Sequence, residues 1–380
     1  MLFLCDAMHE RALHIISMDN PFPPDFGGVI DVFFKIRALH RIGYRIYLHT
    51  FAEEIPASCP QLEAITEKVF YYRFSGNPLW LLSTKPFSVM TRNDASLHRN
   101  LAGIPAPILF EGLKTTYLVN AGRLDGFTKI LRLHNIEQDY FKGISRTETS
   151  LLKKFAFWME AVKFRAYERV IRSFDHTLAL SLFEEKYIQR KFGNASYVPV
   201  FHGNEAVADL SGTGKFALYH GDLNTADNRE AVRFLINAFK EIPDVRLVIA
   251  SGSGEGFVRR IIRGQSNAAF IALKDFSHLK SLMAEAHINV CWSFQQSGTK
   301  LKVINALFNG RFCIINDNIT DDPNVSDLCI TANDKKQLID AVNLLKDKTY
   351  DDFQRRQAMM KSCLDDGANA LLIDKILRNQ

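Results

Sequence analysis

Residues 215–251 read KFALYHGDLNTADNREAVRFLINAFKEIPDVRLVIAS. KFALYHG (215–221) is a short apolar and aromatic run that ends in glycine, and VRLVIAS (245–251) is a second such run. Between them, apolar residues recur at helical spacing over Asn228–Lys240. A strand, a helix and a second strand in that order make a crossover unit, whose two strands lie parallel in one sheet.

The same alternation continues downstream. AAFIAL (268–273) and INVCWS (288–293) read as strands, and Phe276–Ala286 and Leu301–Asn309 as helices. RFCIIN (311–316) is expected to close this set. Upstream, ALHIIS (12–17) reads as a first strand, followed by the Pro- and Gly-rich loop Asp19–Gly28 and a helix over Val29–Ile42 that Gly43 stops. Tyr44–Thr50, APILFEG (106–112), TKILRLH (128–134) and HTLALS (176–181) read as further strands. A long helix is expected over 147–172, with Thr147, Glu148 and Thr149 as its cap and first turn.

After SYVPV (196–200) comes the polar, glycine-containing stretch FHGNEAVADLSGTGK (201–215), where the pattern breaks and restarts. The reading is α/β with two Rossmann-like, doubly wound domains, 1–205 and 206–353. A C-terminal helix over about 354–380 is expected to pack back on the first domain, with a hinge near 200–212. Parallel sheets bind ligands at the carboxyl ends of their strands, so two facing domains would form a cleft suited to a two-substrate reaction.

Composition narrows the function classes. Of 380 residues, 47% are hydrophobic and 23% charged, which excludes disorder, collagen and coiled coil as descriptions of the whole chain. No uncharged apolar run approaches the ~20 residues that span a bilayer. The opening MLFLCDAMHERALHII carries Asp6, Glu10 and Arg11 where a signal peptide needs an unbroken apolar stretch, so export by that route is not expected. Met8 is an alternative start, since the first strand begins near residue 12. Cys5, Cys59, Cys291, Cys313, Cys329 and Cys363 have neither C-x-x-C spacing nor a histidine cluster, and read as reduced thiols of a cytoplasmic protein. The net charge of +5 lies wholly in residues 1–200, with 25 Lys/Arg against 20 Asp/Glu; residues 201–380 balance at 22 against 22. That suits one locally basic surface and is too little for a nucleic-acid partner.

Three segments carry candidate chemistry. Gly27 and Gly28 follow the first strand and open a helix, where glycine lets a ligand approach the backbone and the helix N-terminus favours phosphate. A tight turn is the alternative. His134, in Arg132-Leu133-His134-Asn135-Ile136-Glu137, lies at a strand's carboxyl end, placed to touch a substrate or to bond loop backbone. Gln296-Ser297-Gly298-Thr299-Lys300-Leu301-Lys302 follows a strand and opens a helix. Its backbone N–H groups and two lysines suit a diphosphate, and lysine at that end runs against the helix dipole. Asn305, one turn further on, is placed to hydrogen-bond a ribose. No Asp pair reads as a metal site: Asp321-Asp322 precedes Pro323 and reads as a turn, and Asp351-Asp352 and Asp365-Asp366 as turns or helix starts.

Taken in order, these segments resemble the GT-B glycosyltransferases, in particular their large retaining group (family 4, or group 1) that includes bacterial polysaccharide and lipid-linked-glycan enzymes. FGGVIDVFFKIRALHRIGYRIYLHTF resembles their opening glycine loop, helix and second strand. RLHNIEQDYF resembles their H-N-x-E segment, YERVIRSFDHTLALSLFEEKYI the end of their first domain, YHGDLNTADNREAVRFLINAF the start of their second, and SGTKLKVINALFNGRFCIIND their donor loop and helix. The likeness runs from about residue 12 to 345.

The resemblance implies a hexosyltransferase-like enzyme that needs no metal or resident cofactor. It would move a sugar from a nucleotide-diphosphate donor to a glycan or lipid-linked acceptor, with retention. It implies that Gly27 and Gly28 face the donor phosphate or the acceptor, and that His134 contacts the sugar near the reacting carbon. Ser251, Gly252 and Gly254 would lie near base and ribose, Gly298 to Lys302 at the diphosphate and sugar, and Asn305 at the ribose. The family usually carries two glutamates eight positions apart at this last site; here Ser297 and Asn305 stand there. It often has an Arg and a Lys after the first strand of the second domain; here Asn228 and Arg229 stand there, and Lys300 and Lys302 would supply the missing charge. Ser297 and Asn305 motivate one rival, a non-catalytic GT-B protein that partners another transferase; a nucleotide-sugar epimerase, which can share this architecture, is the other.

The segment LLKKFAFWMEAVKFRAYERVIR (151–172), with six Lys/Arg and two Glu, has two readings. Phe155, Trp158 and Val162 are expected to pack onto the sheet with the basic groups in water. The other reading is a peripheral contact with the inner face of the cell membrane.

Overall fold

The computed structural model describes residues 11–25, 27–148, 150–295 and 300–380. Cys5, Met8, Phe26, Thr149 and the expected donor-loop residues Ser297, Gly298 and Thr299 lie outside the described residues. The chain divides into two compact units, Met1–Gly203 with Asp366–Gln380, and Asn204–Asp365.

The first unit is built on β1 (Arg11–Ser17), β2 (Tyr44–Ala52), β3 (Lys68–Arg73), β4 (Ile108–Glu111), β5 (Lys129–Arg132), β6 (His176–Ala179) and β7 (Ala195–Tyr197). They form one sheet in the order β3-β2-β1-β4-β5-β6-β7, with every pair parallel. Both faces are covered, as a parallel sheet requires. Leu13 and Ile15 of β1 pack with Val32, Ile36 and Leu39 of helix α1 (Gly27–Arg41), while Ile16 joins Phe110 and Leu131 on the opposite face. β3 has no counterpart in the sequence reading: KVFYYR is a half-exposed edge strand flanked by charge, with no clean alternation to mark it.

The expected helix over 147–172 is two helices and a turn. α2 (Glu137–Thr147) ends where Glu148 N–H donates to Ile144 O, and the chain is extended at Glu148 (ψ 135°) and Ser150 (ψ 118°). Only then does α3 (Leu151–Tyr167) begin, with a 3-10 turn over 168–173 after it. The two helices pack together, with the Phe141 ring stacked on Phe164 at 5.3 Å.

The second unit holds β8 (Ala217–His220), β9 (Leu247–Ser251), β10 (Ala268–Ala272), β11 (Ile288–Cys291), β12 (Phe312–Ile315) and β13 (Ile330–Thr331), all parallel in the order β10-β9-β8-β11-β12-β13. RFCIIN therefore does not close the set, because the two-residue β13 adds an edge that is too short to show as a run. Helix α4 (Ala226–Phe239) crosses from β8 to β9, and α5 (Leu301–Asn309) runs between β11 and β12.

The C-terminal helix expected over about 354–380 is also two. α6 (Phe353–Cys363) belongs to the second unit, where the buried Arg356 donates to Gly310 O and Arg311 O. α7 (Asp366–Arg378) alone belongs to the first, where Ala370 and Ile373 pack in the α1 core and Asp374 accepts from Tyr44 (2.9 Å) and Arg11 (3.2 Å).

Each sheet reverses its strand order once, between β1 and β4 and between β8 and β11. Those switch points leave a crevice at the carboxyl ends of the strands, where doubly wound sheets bind ligands.

Candidate functional site

In the first unit the switch point sits over a buried group of charges. Glu111 is the last residue of β4, and Asp31 and Lys35 are one turn apart on α1. The Lys35 ammonium lies 2.8 Å from Asp31 Oδ2 and 2.8 Å from each Glu111 carboxylate oxygen. Arg132, at the end of β5, donates to Asp31 Oδ1 (3.1 Å), Val198 O (2.6 Å) and Pro199 O (3.0 Å), and Phe201 N–H donates to Asp31 Oδ1 at 2.8 Å. Two carboxylates thus face two cations with almost no access to water. Burial pushes both carboxyls toward the neutral form. Arg132 and Lys35 outweigh it at Asp31, and Lys35 and His134 at Glu111, so both are held below the ordinary carboxylate range.

His134 stands on this group. It follows β5 by two residues, is nearly buried, and its Nε2 is 2.8 Å from Glu111 Oε2. A carboxylate accepts only, so Nε2 carries the hydrogen and the ring is held in one orientation. Asp31, Glu111 and His134 present ligand-type atoms close enough together for a cation. The Lys35 ammonium already touches both carboxylates and balances them, so the donor set does not call for a metal. Glu137, the glutamate of the H-N-x-E segment, opens α2; burial raises its carboxyl, and the Lys114 ammonium at 3.5 Å opposes that rise. Gly27 and Gly28 are the first residues of α1, the former exposed.

The second unit has a matching arrangement at its own switch point. Asp227, in the first turn of α4, reaches across to the end of β11: its Oδ1 accepts from Phe294 N (2.7 Å) and Gln295 N (3.1 Å), and its Oδ2 from Ser293 Oγ (2.7 Å). Lys302, in the first turn of α5, is turned inward. Its ammonium donates to Asn228 Oδ1 at 3.0 Å and lies over the Tyr219 ring, 4.8 Å from the centroid. No carboxylate among the described residues bonds to it, and burial brings its pKa down to about 8. His220, at the end of β8, is lowered to about 3 by burial and by Lys302, and its Nε2 has no partner among the described residues.

The remaining residues singled out from the sequence fall around this point. Ser251 Oγ accepts from Ser253 N at 3.1 Å; Ser253 Oγ in turn donates to Asp222 Oδ1 at 2.7 Å and accepts from Leu223 N at 3.1 Å. That ties the loops after β8 and β9 together. A Cβ at Gly252 would meet open space. Gly254, at φ +74°, admits no side chain, because a Cβ there would lie 2.6 Å from Leu223 Cβ. Arg229 braces the same loop, its Nε donating to Leu223 O at 2.5 Å. Lys300 is the N-cap residue of α5, its N–H donating to Ile319 O at 2.9 Å. Asn305 is buried on α5, its Oδ1 accepting from Asn204 at 3.0 Å.

Asp31, Lys35, Glu111, Asp227 and Tyr219 were not singled out from the sequence. The signal for two of them was present: in DVFFK, Asp31 and Lys35 fall on the apolar face of α1, where charge is out of place unless paired. A cavity of about 500 Å³ lies by Lys129 and Arg169, at the amino end of β5 and away from His134.

The family model "Glycosyl transferases group 1" matches residues 214–347, most of the second unit. A Klebsiella pneumoniae protein known as "Uncharacterized 44.6 kDa protein in cps region" is 26% identical over 323 residues, 79% of this chain and 81% of that one. Among solved structures, sucrose-phosphate synthase from Thermosynechococcus elongatus superposes with a TM-score of 0.68 at 15% identity, covering 97% of this chain and 99% of its own. HepE of Anabaena, solved with UDP and glucose, gives 0.65 at 12% identity (98% and 100%). The lipopolysaccharide outer core galactosyltransferase WaaB in its apo form gives 0.64 at 14% identity (96% and 99%). The architecture is thus two Rossmann-like α/β domains with parallel sheets, consistent with the GT-B fold.

Proposed function

We propose that this chain is a glycosyltransferase that moves a sugar from a nucleotide-diphosphate donor to a hydroxyl of a glycan or lipid-linked glycan, with retention, on the cytoplasmic side of a bacterial membrane. The observation that carries this is Lys302: a half-buried amine with no bonded carboxylate among the described residues, at the carboxyl end of the second sheet, inside the segment matched by the family model. Burying an amine costs stability, and a diphosphate is the kind of ligand that repays it.

In this reading the acceptor oxygen bonds to the anomeric carbon, the bond from that carbon to the diphosphate breaks, and the hydroxyl proton leaves with the phosphate. Lys302 and Lys300 stabilise the departing charge, a role that in other enzymes a metal ion fills. His134, fixed through Glu111, orients the sugar. The loops holding Ser251, Gly252 and Gly254 receive the nucleoside.

A thermal-shift panel of UDP, GDP, ADP, CMP and dTDP with their sugar forms tests this. A nucleotide at 100 times its dissociation constant stabilises by ~2.7 kcal/mol. One nucleotide that raises Tm in the native chain and not in Lys302→Ala supports the reading and names the donor class, and transfer to a glycan acceptor then completes it. No shift at millimolar nucleotide overturns the enzyme reading in favour of a partner protein. Conversion of the sugar nucleotide without acceptor would make the chain an epimerase.

A further inference from the structure

Helix α3 is amphipathic in the opposite sense to a core helix. Its inner face is Ala161, Phe164 and Tyr167, packed under the sheet's helical layer with Phe141 of α2. The side turned away from that core carries Leu151 (82% exposed), Phe155 (59%), Trp158 (49%) and Val162 (47%), which fall at i, i+4, i+7 and i+11 and so form one stripe. The expectation that Phe155, Trp158 and Val162 pack onto the sheet is therefore wrong. The face toward the sheet is taken by the other stripe, which leaves these side chains in water.

A second element adds to the same region. The 3-10 turn Pro78–Leu82 is tied to α3 by Lys163, whose ammonium donates to Leu81 O at 2.9 Å, and the chain just beyond it by Phe87 N–H to the Glu160 carboxylate at 2.9 Å. The turn exposes Leu79 (70%) and Leu82 (85%). Exposed leucines on two adjoining elements, with an aromatic pair between the helix turns (Phe155 and Trp158 centroids 5.9 Å apart), make a larger apolar surface than scattered side chains do.

The exposed charges of α3 and of the turn after it are of one sign. Lys153, Lys154, Arg165 and Arg169 are exposed on α3 and the turn after it. The acidic groups of the same stretch are turned in: Glu160 accepts from Phe87 N, and Glu168 is buried and held by Tyr187 and Lys191. A second copy of the chain would set like charges against each other. An anionic lipid surface supplies the opposite charge and an apolar phase for the stripe. Among the described residues no helix is long and apolar enough to cross a membrane, so the contact is one of lying on the surface.

We propose that the face formed by Leu151, Phe155, Trp158 and Val162 of α3, with Leu79 and Leu82, docks this protein onto bilayers rich in anionic lipid. Lys154 and Arg165, which flank the stripe, sit among the headgroups, and the apolar stripe enters the boundary of the acyl chains with Trp158 at the interface. This surface is independent of the transfer reaction and stands or falls without it.

Vesicle flotation of the full chain tests the proposal, using phosphatidylcholine vesicles with and without phosphatidylglycerol. The native protein is expected to float with the anionic vesicles at least ~10-fold better than with phosphatidylcholine alone, and its tryptophan emission to shift to the blue. Phe155→Asp with Trp158→Asp reduces binding at least ~10-fold while Tm is kept, because both side chains are already in water. Lys154→Glu with Arg165→Glu removes the preference for anionic lipid. The proposal is overturned by any of four results: no flotation of the native protein; full flotation of the double Asp variant; an equal loss from Leu371→Asp on α7, which would not be local to α3; or a dimer that the double Asp variant dissolves, which would assign the face to a second copy.

Discussion

The Lys302 ammonium lies 3.0 Å from the side-chain amide oxygen Oδ1 of Asn228, 74 residues away in sequence. Asn228 occupies a position where the resembled family often carries a basic residue, and Lys302 brings a positive charge to it from the other side of the switch point. A neutral amide there leaves the lysine without a bonded counter-ion among the described residues, and burial draws its pKa down to about 8.

Affinity for a nucleoside diphosphate should therefore fall as pH rises through about 8, the point at which the unliganded Lys302 loses its proton. Isothermal titration between pH 6.5 and 9.5 reads this directly. Lys302→Met should abolish the dependence and weaken binding ~10-fold or more. The same change should raise Tm by a few degrees at neutral pH, because holding a lysine charged at a site that favours the neutral form costs on the order of 3 kcal/mol.

Lys35→Met should be far more harmful to the fold than its position on one helix suggests. It leaves the Asp31 and Glu111 carboxylates buried with one cation fewer, and breaking such a group by removing one partner costs ~3–5 kcal/mol. Urea midpoints give the loss. Lys35→Met with Glu111→Leu removes the unpaired charge together with its partner and should recover part of it.

Glu111→Gln separates orientation from contact at His134. The amide fits the space but no longer fixes which ring nitrogen carries the hydrogen. In the proposed reaction kcat should fall by about 10–100-fold with the donor KM little changed, while His134→Ala falls further. Equal stopped-time rates for His134→Ala and the native chain would remove His134 from the reaction.

Asp227→Asn should loosen the turn after β11. Each oxygen of the carboxylate now accepts, two backbone N–H groups on one and a serine hydroxyl on the other, and an amide cannot accept at both ends. The expected result is a rise of about tenfold in the donor Kd with a fall of ~1–2 kcal/mol in stability, read by titration and by thermal melts.

Acid should unfold the first unit early. His14 Nε2 donates to Ile104 O (3.0 Å), so its Nδ1 accepts from His49 Nε2 (2.9 Å), and His49 Nδ1 accepts from the Tyr72 hydroxyl (2.7 Å). Both rings are neutral in this chain of bonds, and burial holds both below the usual histidine range. The unfolded state binds protons at about pH 6.5 and the folded state only at lower pH, so stability is full above that value and is lost as pH falls. The slope reaches about 1.4 kcal/mol per pH unit for each histidine. Urea midpoints at pH 7 and pH 5 give the difference, and His14→Gln with His49→Gln should flatten it.

Much of the fold could be read from spacing alone. Leu301–Asn309 is helical over the span that its apolar period gives, and the strands around His14, Phe110, Leu131 and Val248 lie where short apolar runs stand. The failures have two causes. β3 and β13 are edge strands, too short or too exposed to carry a period, and no proline or glycine stands between α2 and α3 to mark their separation. Asp365-Asp366, read as a turn or helix start, does open α7, and the single-helix reading of the C-terminus passed over it. His134 and Lys302 were visible as polar groups at the ends of strands and helices. Glu111 was not, since a single acidic residue closing an apolar strand looks like the start of a loop.

The sequence by itself determined the periods, and through them two parallel α/β units and the segments that reach the ends of their strands. Periodicity is a property of neighbours along the chain, so it survives without a fold. It could not say that Lys35 would meet Glu111, 76 residues on, or that Asp227 would hold residues 293–295, because strand order alone brings those partners together. Nor could it say which stripe of α3 faces the core. Phe155 and Trp158 repeat at the same helical spacing as Phe164 and its neighbours, and only the packing against α2 decided which of the two stripes was left to the solvent.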